Sequence, residues 1–237
     1  MGAFTVIGPD VEIDAGSWIG PHVVINGPTR IGRQNKIFQF ASIGDAPQDK
    51  KYNGEPTRLE IGDRNVFRES VTVNRGTAQD RGLTSIGDDN LFMAYSHVAH
   101  DCQVGSHCVL ANLATLGGHV ELGDWVIMGG LSAVHQHCRV GMHAFVANNA
   151  AVTRDVPPYV MAVGQPAEPH SVNSTGLSRR GFTPEQVRNI KQAFRTLYRA
   201  DLKLSDALAR LRESAALQPE VQQLVEFISL STRSLAR

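Results

Sequence analysis

Histidine is concentrated in one stretch of this 237-residue chain, because seven of its nine histidines lie between residues 97 and 143. Imidazole is a common metal ligand, and its ordinary pKa near 6.5 also makes it the usual general base. His100 is followed directly by Asp101, and a carboxylate there can fix the tautomer of the ring and stabilise its charged form. The residue types therefore favour either a metal site or proton transfer, provided that the histidines meet in space.

The elements that must position these histidines show a period of six residues. An aliphatic or aromatic residue returns at every sixth position from Ile86 to Val152, and shorter series run from Ile7 to Ile43 and from Ile61 to Val73. This period predicts a parallel β-helix in which three hexads form one triangular coil of 18 residues. A small residue four positions after the aliphatic, such as Ala114, is expected to point inward. A glycine that follows the aliphatic, such as Gly105, is expected to give the tight corner its backbone freedom.

Folding the sequence at 18 residues per coil brings five histidines to one corner of three consecutive coils. These five residues are His97, His100, His119, His135 and His137. One histidine at a corner is usually surface decoration, but five at the same corner predict a site. The same folding places Gly117-Gly118 one coil above His100, where a glycine N–H could approach an oxyanion. His107 and His143 share a different corner and are interpreted as exterior residues without a role.

The pattern divides the chain into two predicted parts. Residues 1–160 are predicted to form the hexapeptide-repeat β-helix, and residues 161–237 a C-terminal segment with an α-helical domain. Polar insertions interrupt the repeats near residues 44–60 and 77–85. Loops on a rigid solenoid often form its binding face, although a harmless insertion is also common.

The tail carries both the helix signals and the excess of positive charge. Thr183-Pro184 is predicted to begin a helix, Ser205 to cap a second one and Pro219 to open a third. Residues 173–237 contain 11 Lys and Arg against 6 Asp and Glu, although the whole chain has no net charge. The basic run at residues 178–199 is either a solvated helix face or a docking site for an acidic partner or a phosphate.

Composition excludes some classes of protein. No run of 18 apolar residues occurs, so no membrane span is predicted, and no signal peptide is visible. The three cysteines fall at small inward positions and are predicted to be buried free thiols in a reducing cytoplasm. The protein is therefore expected to be cytoplasmic.

A set of motifs spans the chain in a fixed order. They are Tyr52-Asn53-Gly54-Glu55-Pro56-Thr57-Arg58, Arg75-Gly76-Thr77, His97-Val98-Ala99-His100-Asp101-Cys102, Gly118-His119-Val120, Ala133-Val134-His135-Gln136, Asp155-Val156-Pro157-Pro158-Tyr159-Val160 and Gly176-Leu177-Ser178-Arg179-Arg180-Gly181-Phe182. Together they resemble the acyl-ACP–UDP-N-acetylglucosamine O-acyltransferases of lipid A biosynthesis. The resemblance implies a left-handed parallel β-helix that forms a homotrimer with active sites between subunits. It implies transfer of a 3-hydroxyacyl group from acyl carrier protein to the 3-hydroxyl of UDP-N-acetylglucosamine, with no metal, cofactor or nucleic-acid partner.

The resemblance also implies roles for individual residues. His100 matches the general base, Asp101 its partner, and Gly118 the backbone oxyanion donor. The positions that match substrate-binding residues are Asp49, Lys51, His97, His119, His135, Gln136, Asn173, Arg179 and Arg180. Asn148 stands where members that use longer acyl chains tend to carry glycine. It is therefore expected to act as a ruler that selects a chain of roughly ten to twelve carbons, since each excluded methylene forfeits burial.

Three other functions remain open at this point. A metal-dependent lyase that resembles the γ-type carbonic anhydrases would use three converging imidazoles, and a non-catalytic hexapeptide scaffold would not need the histidines. The N-acyltransferase of the same pathway normally carries an additional N-terminal domain. The Gly54-Glu55-Pro56-Thr57 loop and the basic tail favour the O-acyltransferase.

Overall fold

The hexads form the three faces of a triangular prism in a computed structural model that describes residues 1–236. Each hexad supplies a short strand and a corner, and the strands of successive coils pair in parallel. The result is a left-handed parallel β-helix, as the resemblance implied. Strands are numbered β1–β24 and helices α1–α4 in chain order.

Each face is one sheet. The first face contains β1 (Val6–Ile7), β4 (Val24–Ile25), β7 (Ser42–Asp45), β10 (Thr72–Asn74), β13 (His97–Val98), β16 (Thr115–Leu116), β19 (Ala133–Val134) and β22 (Ala151–Val152). The second face contains β2 (Val11–Ile13), β5 (Thr29–Ile31), β8 (Arg58–Ile61), β11 (Leu83–Ile86), β14 (Gln103–Val104), β17 (Glu121–Leu122) and β20 (Arg139–Val140). The third face contains β3 (Trp18–Ile19), β6 (Lys36–Ile37), β9 (Val66–Phe67), β12 (Leu91–Phe92), β15 (Val109–Leu110), β18 (Ile127–Met128), β21 (Phe145–Val146), β23 (Val160–Val163) and β24 (Glu168–Val172). Among the strands of residues 1–236, only β24 runs antiparallel to its neighbour, β23.

The core of the prism follows the predicted pattern. The periodic residues Ile37, Leu110 and Val146 are fully buried, and so is the small residue Ala114 four positions after Leu110. The three cysteines are free and buried, which confirms the prediction that they fill space inside the coils. Each coil therefore buries apolar surface mainly against the coils above and below it.

At most corners the backbone freedom does not come from the glycine that follows the aliphatic, although Gly44 in β7 has a φ of 75°. Left-handed backbone occurs two positions later, at residues such as Asp101 (φ 58°), His119 (φ 62°) and His137 (φ 61°). The sequence-based explanation is therefore wrong at Gly105, which has no positive φ. A Cβ atom there would lie 2.4 Å from Asp124 Oδ1, so glycine is needed for the close approach of the next coil.

Both insertions leave the prism at the same corner, between the first and second faces. The first lies between β7 and β8 and the second between β10 and β11. They are joined to each other, because the Asn74 side chain donates to the Ala46 carbonyl at 3.0 Å and the Gly76 N–H donates to the Arg58 carbonyl at 3.3 Å. Arg75 also donates to the Tyr52 hydroxyl at 3.2 Å.

The described part of the tail, residues 161–236, contains four helices. They are α1 (Ser174–Arg179), α2 (Pro184–Tyr198), α3 (Leu204–Ala215) and α4 (Pro219–Ser229). Thr183 caps α2 in a capping box with Gln186, and Pro219 opens α4, as predicted. Ser205 does not cap α3, because that helix begins at Leu204 and has no side-chain cap. None of the helices in residues 1–236 is long and apolar enough to cross a membrane.

Candidate active site

The His100 imidazole lies against a buried carboxylate. Its Nδ1 atom is 2.9 Å from Oδ2 of Asp101, whose side chain has no exposed surface. The same carboxylate accepts a hydrogen bond from the Thr77 N–H at 3.0 Å and from the Thr77 hydroxyl at 2.6 Å. Asp101 is itself fixed, because its N–H donates to the Thr84 hydroxyl at 2.8 Å. A buried carboxylate with several donors is the arrangement that stabilises a negative charge away from water.

The ionisation of Asp101 determines which nitrogen of His100 is free. Burial raises the pKa of Asp101, but the hydrogen bonds from His100 and Thr77 outweigh it, so the pKa lies below its ordinary value. The ionised carboxylate accepts a hydrogen bond from Nδ1–H of His100, which leaves Nε2 as the unprotonated nitrogen of the neutral ring. His100 can therefore accept a proton at Nε2, and the charge of Asp101 stabilises the imidazolium that forms.

Gly118 lies against the other side of the His100 ring. A Cβ atom at this position would be 2.5 Å from Cε1 and 2.7 Å from Nε2 of His100, so any residue larger than glycine would push the ring aside. The Gly118 carbonyl accepts from the His137 N–H at 3.0 Å, whereas the Gly118 N–H has no acceptor within residues 1–236. A free N–H next to a base can donate to an oxyanion that develops during the reaction.

Three imidazoles stack on consecutive coils at this corner, as the 18-residue period predicted. The rings of His100 and His119 meet edge to face with centroids 5.0 Å apart, and those of His119 and His137 stack at 4.2 Å. Nδ1 of His119 is 2.7 Å from Oδ2 of Asp80, in the second insertion, and 3.9 Å from the Asp101 carboxylate. His100 and His119 therefore each have their own carboxylate, Asp101 and Asp80 respectively.

The other predicted histidines lie beside this stack. His97 is on β13, and its Nδ1 atom is 2.7 Å from the Thr72 hydroxyl. Burial and the neighbouring His100 lower the pKa of His97, so its ring is neutral at pH 7. Nδ1 of His135 is 3.1 Å from the carbonyl oxygen of Gln136, which also accepts from Arg233 near the end of the chain.

The two predicted residues of the first insertion do not reach the stack within one chain. The Lys51 N–H donates to Asp49 Oδ1 at 3.0 Å, which fixes a local turn. No hydrogen bond or ion pair joins either side chain to the histidines in the described residues. Both residues nevertheless belong to the loop that leaves the prism at the corner of the histidines.

The predicted tail residues lie at another corner, between the second and third faces. Asn173 caps α1 through the Gly176 N–H, and its amide donates to the His143 carbonyl at 3.0 Å. Arg180 lies 3.2 Å from Nδ1 of His143 and packs over the Trp125 ring. Arg179 precedes it in α1 and is exposed.

His143 lies outside the coils, as predicted, but the prediction that it is without a role is wrong. His143 is only 9% exposed, because the tail packs on it through Phe182 and Asn173. Burial and the charge of Arg180 lower the pKa of His143 to about 4. The neutral ring can accept a hydrogen bond from Arg180 at Nδ1, so His143 holds the guanidinium in place.

Asn148 lies at the remaining corner, between the third and first faces. Its side chain is exposed, and its Oδ1 atom accepts a hydrogen bond from the Gly130 N–H at 2.9 Å. The prism therefore separates Asn148 from the histidines by one full face, as the folding of the sequence predicted.

Comparison with known proteins identifies the family. A model described as UDP-N-acetylglucosamine O-acyltransferase, domain 2, matches residues 155–236, and a bacterial transferase hexapeptide model matches residues 83–118. The Francisella novicida UDP-N-acetylglucosamine acyltransferase is 41% identical over 100% of this chain and 87% of its own, with a TM-score of 0.98. LpxA from Acinetobacter baumannii is 41% identical over 100% of this chain and 92% of its own, with a TM-score of 0.97.

This chain belongs to the UDP-N-acetylglucosamine O-acyltransferase family. It is therefore an acyltransferase, and the resemblance seen in its motifs is confirmed. The similarity extends to a more distant member, the Arabidopsis UDP-N-acetylglucosamine acyltransferase, which is 28% identical over 100% of this chain and 98% of its own, with a TM-score of 0.84.

The corner also contains a group with the chemistry of metal ligands. The ligand atoms of His100, Asp101 and His119 all lie within 4.8 Å of one another. However, Nδ1 of each histidine is already hydrogen-bonded to a carboxylate, and Thr77 occupies further lone pairs of Asp101. These contacts occupy Nδ1 of both rings and leave Nε2 of each ring as the nitrogen that can take a proton or bind a ligand.

Sequence reasoning missed two residues of this acyltransferase site, Thr77 and Asp80. Thr77 belongs to the Arg75-Gly76-Thr77 motif, but the motif does not predict its contact with Asp101. Asp80 belongs to none of the motifs. The available signal was the spacing of 13 residues between Val73 and Ile86, which marks an insertion at the histidine corner.

The contact between Gly118 and His100 generates a prediction. Gly118→Ala should displace the His100 ring and reduce kcat by about 10²-fold or more, the usual loss for a misplaced base. The melting temperature should change little, because the added methyl group meets a side chain that can move.

A double variant provides the control for this effect. If the loss arises through His100, then Gly118→Ala combined with His100→Ala should be no slower than His100→Ala alone. Additive losses in kcat would contradict the explanation.

Proposed function

We propose that this protein transfers a 3-hydroxyacyl group from acyl carrier protein to the 3-hydroxyl of UDP-N-acetylglucosamine, the first step of lipid A biosynthesis, in the cytoplasm. The observation that carries the proposal is the geometry of His100, whose Nδ1 is bound to a buried carboxylate and whose ring lies against Gly118, a residue whose N–H has no acceptor within residues 1–236. Acyl transfer to a hydroxyl requires such a base and a donor for the oxyanion.

The geometry supports a mechanism with His100 as the general base. Nε2 takes the proton of the sugar hydroxyl while the hydroxyl oxygen attacks the thioester carbonyl. The Gly118 N–H donates to the oxyanion of the tetrahedral intermediate, and the charge of Asp101 stabilises the imidazolium. Collapse of the intermediate breaks the C–S bond, and the imidazolium returns the proton to the leaving thiolate.

A homotrimer is part of this proposal. One edge of the prism, between the third and first faces, exposes large apolar side chains that are between 47% and 79% accessible. These residues are Phe4, Phe40, Tyr95, Leu113 and Leu131. Such a row of exposed apolar side chains, interrupted on two coils by His22 and Ser70, is typical of a surface that a partner covers. Neighbouring subunits would also bring Arg180 of one chain towards the histidines of another, which a single prism keeps on different edges.

Helix α2 supports the proposed protein partner. Arg188, Lys191 and Arg195 are exposed and lie on one side of the helix, at spacings of three and four residues. None of the three has a salt-bridge partner in residues 1–236. An unpaired basic face attracts an acidic partner, and acyl carrier protein is strongly acidic.

The role of His100 can be tested directly. His100→Ala should lower kcat by about 10²–10⁴-fold, because a positioned general base contributes this much. The assay uses UDP-N-acetylglucosamine and 3-hydroxyacyl carrier proteins, and the product is read by mass. His170→Ala, an exposed histidine on β24, is the matched control and should keep its activity. A His100→Ala protein that folds and retains activity within a fewfold of wild type would eliminate His100 as the base.

Docking through α2 predicts an effect of charge reversal. Arg188→Glu or Arg195→Glu should raise the KM for the acyl donor and leave the KM for the nucleotide sugar unchanged. The donor KM of the wild type should also rise with salt, because exposed charges are screened beyond about 8 Å at physiological ionic strength. Arg210→Glu, on the exposed side of α3, serves as the control. A donor KM that is indifferent to salt and to both reversals would count against this docking surface.

The proposed ruler predicts a change in acyl specificity. Asn148→Gly should shift the preference towards longer 3-hydroxyacyl chains, because each methylene that gains burial contributes roughly 0.8 kcal/mol, about fourfold in kcat/KM. Donors of several lengths are compared for the wild type and for the variant. Asn149→Gly, at the exposed neighbouring asparagine, is the matched control. An unchanged length preference in Asn148→Gly would refute the ruler.

A further inference from the structure

A second carboxylate, that of Asp80, lies at the histidine corner. Neither the repeat pattern nor the family motifs of the sequence predict a role for it. Oδ2 of Asp80 lies 2.7 Å from Nδ1 of His119, whereas the Asp101 carboxylate is 3.9 Å from the same atom. Asp80 belongs to the second insertion and precedes His119 by 39 residues. The corner therefore contains two separate histidine–carboxylate pairs, His100 with Asp101 and His119 with Asp80.

The insertion is folded so that one short loop supports both pairs. Thr77 donates to Asp101 through its N–H and its hydroxyl, and its carbonyl accepts from the N–H groups of Asp80 at 3.3 Å and Gly82 at 3.1 Å. Gly82 turns the chain with a φ of 64°, and its carbonyl accepts from the Arg58 N–H at 2.8 Å. Asp80 is thus presented by a hydrogen-bonded turn that is anchored on the buried Asp101.

The surroundings of His119 fix the orientation of its ring. His137 stacks on one face with an interplanar angle of 11°, and His100 meets the ring nearly at right angles. Asp80 is hydrogen-bonded to Nδ1 of His119, so Nε2 is the nitrogen left for a ligand. The side chain of His119 is 17% exposed. Because a carboxylate only accepts hydrogen bonds, Nδ1 of His119 is the donor to Asp80, and Nε2 faces a ligand as a hydrogen-bond acceptor.

We infer that Asp80 is a positioning residue that holds His119 as a hydrogen-bond acceptor for a hydroxyl group of the nucleotide-sugar acceptor. The inference rests on the proposed function, in which that acceptor is UDP-N-acetylglucosamine. Asp80 acts through His119 and does not touch the reacting atoms. It therefore contributes to the binding of the acceptor and leaves proton transfer at His100 intact.

The test compares Asp80→Asn with Asp80→Glu. Asp80→Asn keeps the size of the side chain and removes its charge. It should raise the KM for UDP-N-acetylglucosamine about tenfold, equivalent to about 1.4 kcal/mol, with kcat and the donor KM unchanged. Asp80→Glu restores the charge and should recover most of this loss. Gln79→Ala, an exposed neighbour in the same loop, is the control for disturbance of the insertion.

Two further measurements separate positioning from a structural role. Calorimetric titration with UDP-N-acetylglucosamine should show the same tenfold weakening in Asp80→Asn without turnover. In a His119→Gln background, Asp80→Asn should have no additional effect, because its partner is gone. Additive losses in the double variant would overturn the inference. A lower kcat, higher KM values for both substrates and a lower melting temperature in Asp80→Asn would also overturn it, because they would indicate a structural role.

The outcomes also distinguish this inference from the proposed function. If the wild type acylates UDP-N-acetylglucosamine and Asp80→Asn binds it as tightly as the wild type, the role of Asp80 is refuted and the function stands. If the wild type neither binds UDP-N-acetylglucosamine nor acylates it, the proposed function fails first.

Discussion

The register of the stacked coils is the constraint on which the histidine corner depends. The His119 N–H donates to the His100 carbonyl at 2.9 Å, and the His137 N–H donates to the Gly118 carbonyl at 3.0 Å. His119 and His137 share the same left-handed backbone conformation, so their side chains leave successive coils in the same direction. Because coils are separated by roughly the strand spacing of ~4.8 Å, aligned rings come into contact without a loop that folds around them.

The coils alone cannot satisfy a buried charge, and the second insertion supplies what they lack. Asp101 is 2% exposed, and its neighbours on the adjacent coils offer imidazoles and glycine rather than a set of strong donors. Thr77 adds two donors, which help to keep the carboxylate ionised despite its burial. The rigid prism therefore sets the distances at the site, and the inserted loop sets its electrostatics.

The sequence predicts those parts of the site that follow from periodicity. The closeness of His100 to Gly118, and the placement of Asn148 at another corner, both result from an 18-residue coil that the repeats specify without a gap after Ile86. The pairing of Asp80 with His119 could not be predicted in this way. It depends on hydrogen bonds inside an insertion that has no period, and a contact over 39 residues leaves no local signal.

The error on His143 has the same physical origin. The coil period correctly placed its side chain outside the prism, but it contains no information on where the helical tail packs. The tail covers this corner with Phe182 and Asn173, so an exterior position became a buried one with a strongly lowered pKa. Periodicity thus predicts the direction of a side chain, whereas its burial also depends on non-repetitive segments.

The separation of the predicted site residues along different edges of the prism limits how the protein can act. Arg180 contacts His143 and Trp125 at the corner between the second and third faces, whereas His100 lies at the corner between the first and second faces. Residues on two edges can act on one substrate only if a second subunit provides one of the edges. Under the proposed trimer, the nucleotide residues and the base come from different chains. Binding of the acceptor would then depend on assembly, and the row of exposed apolar side chains that drives assembly would be as necessary for turnover as the base.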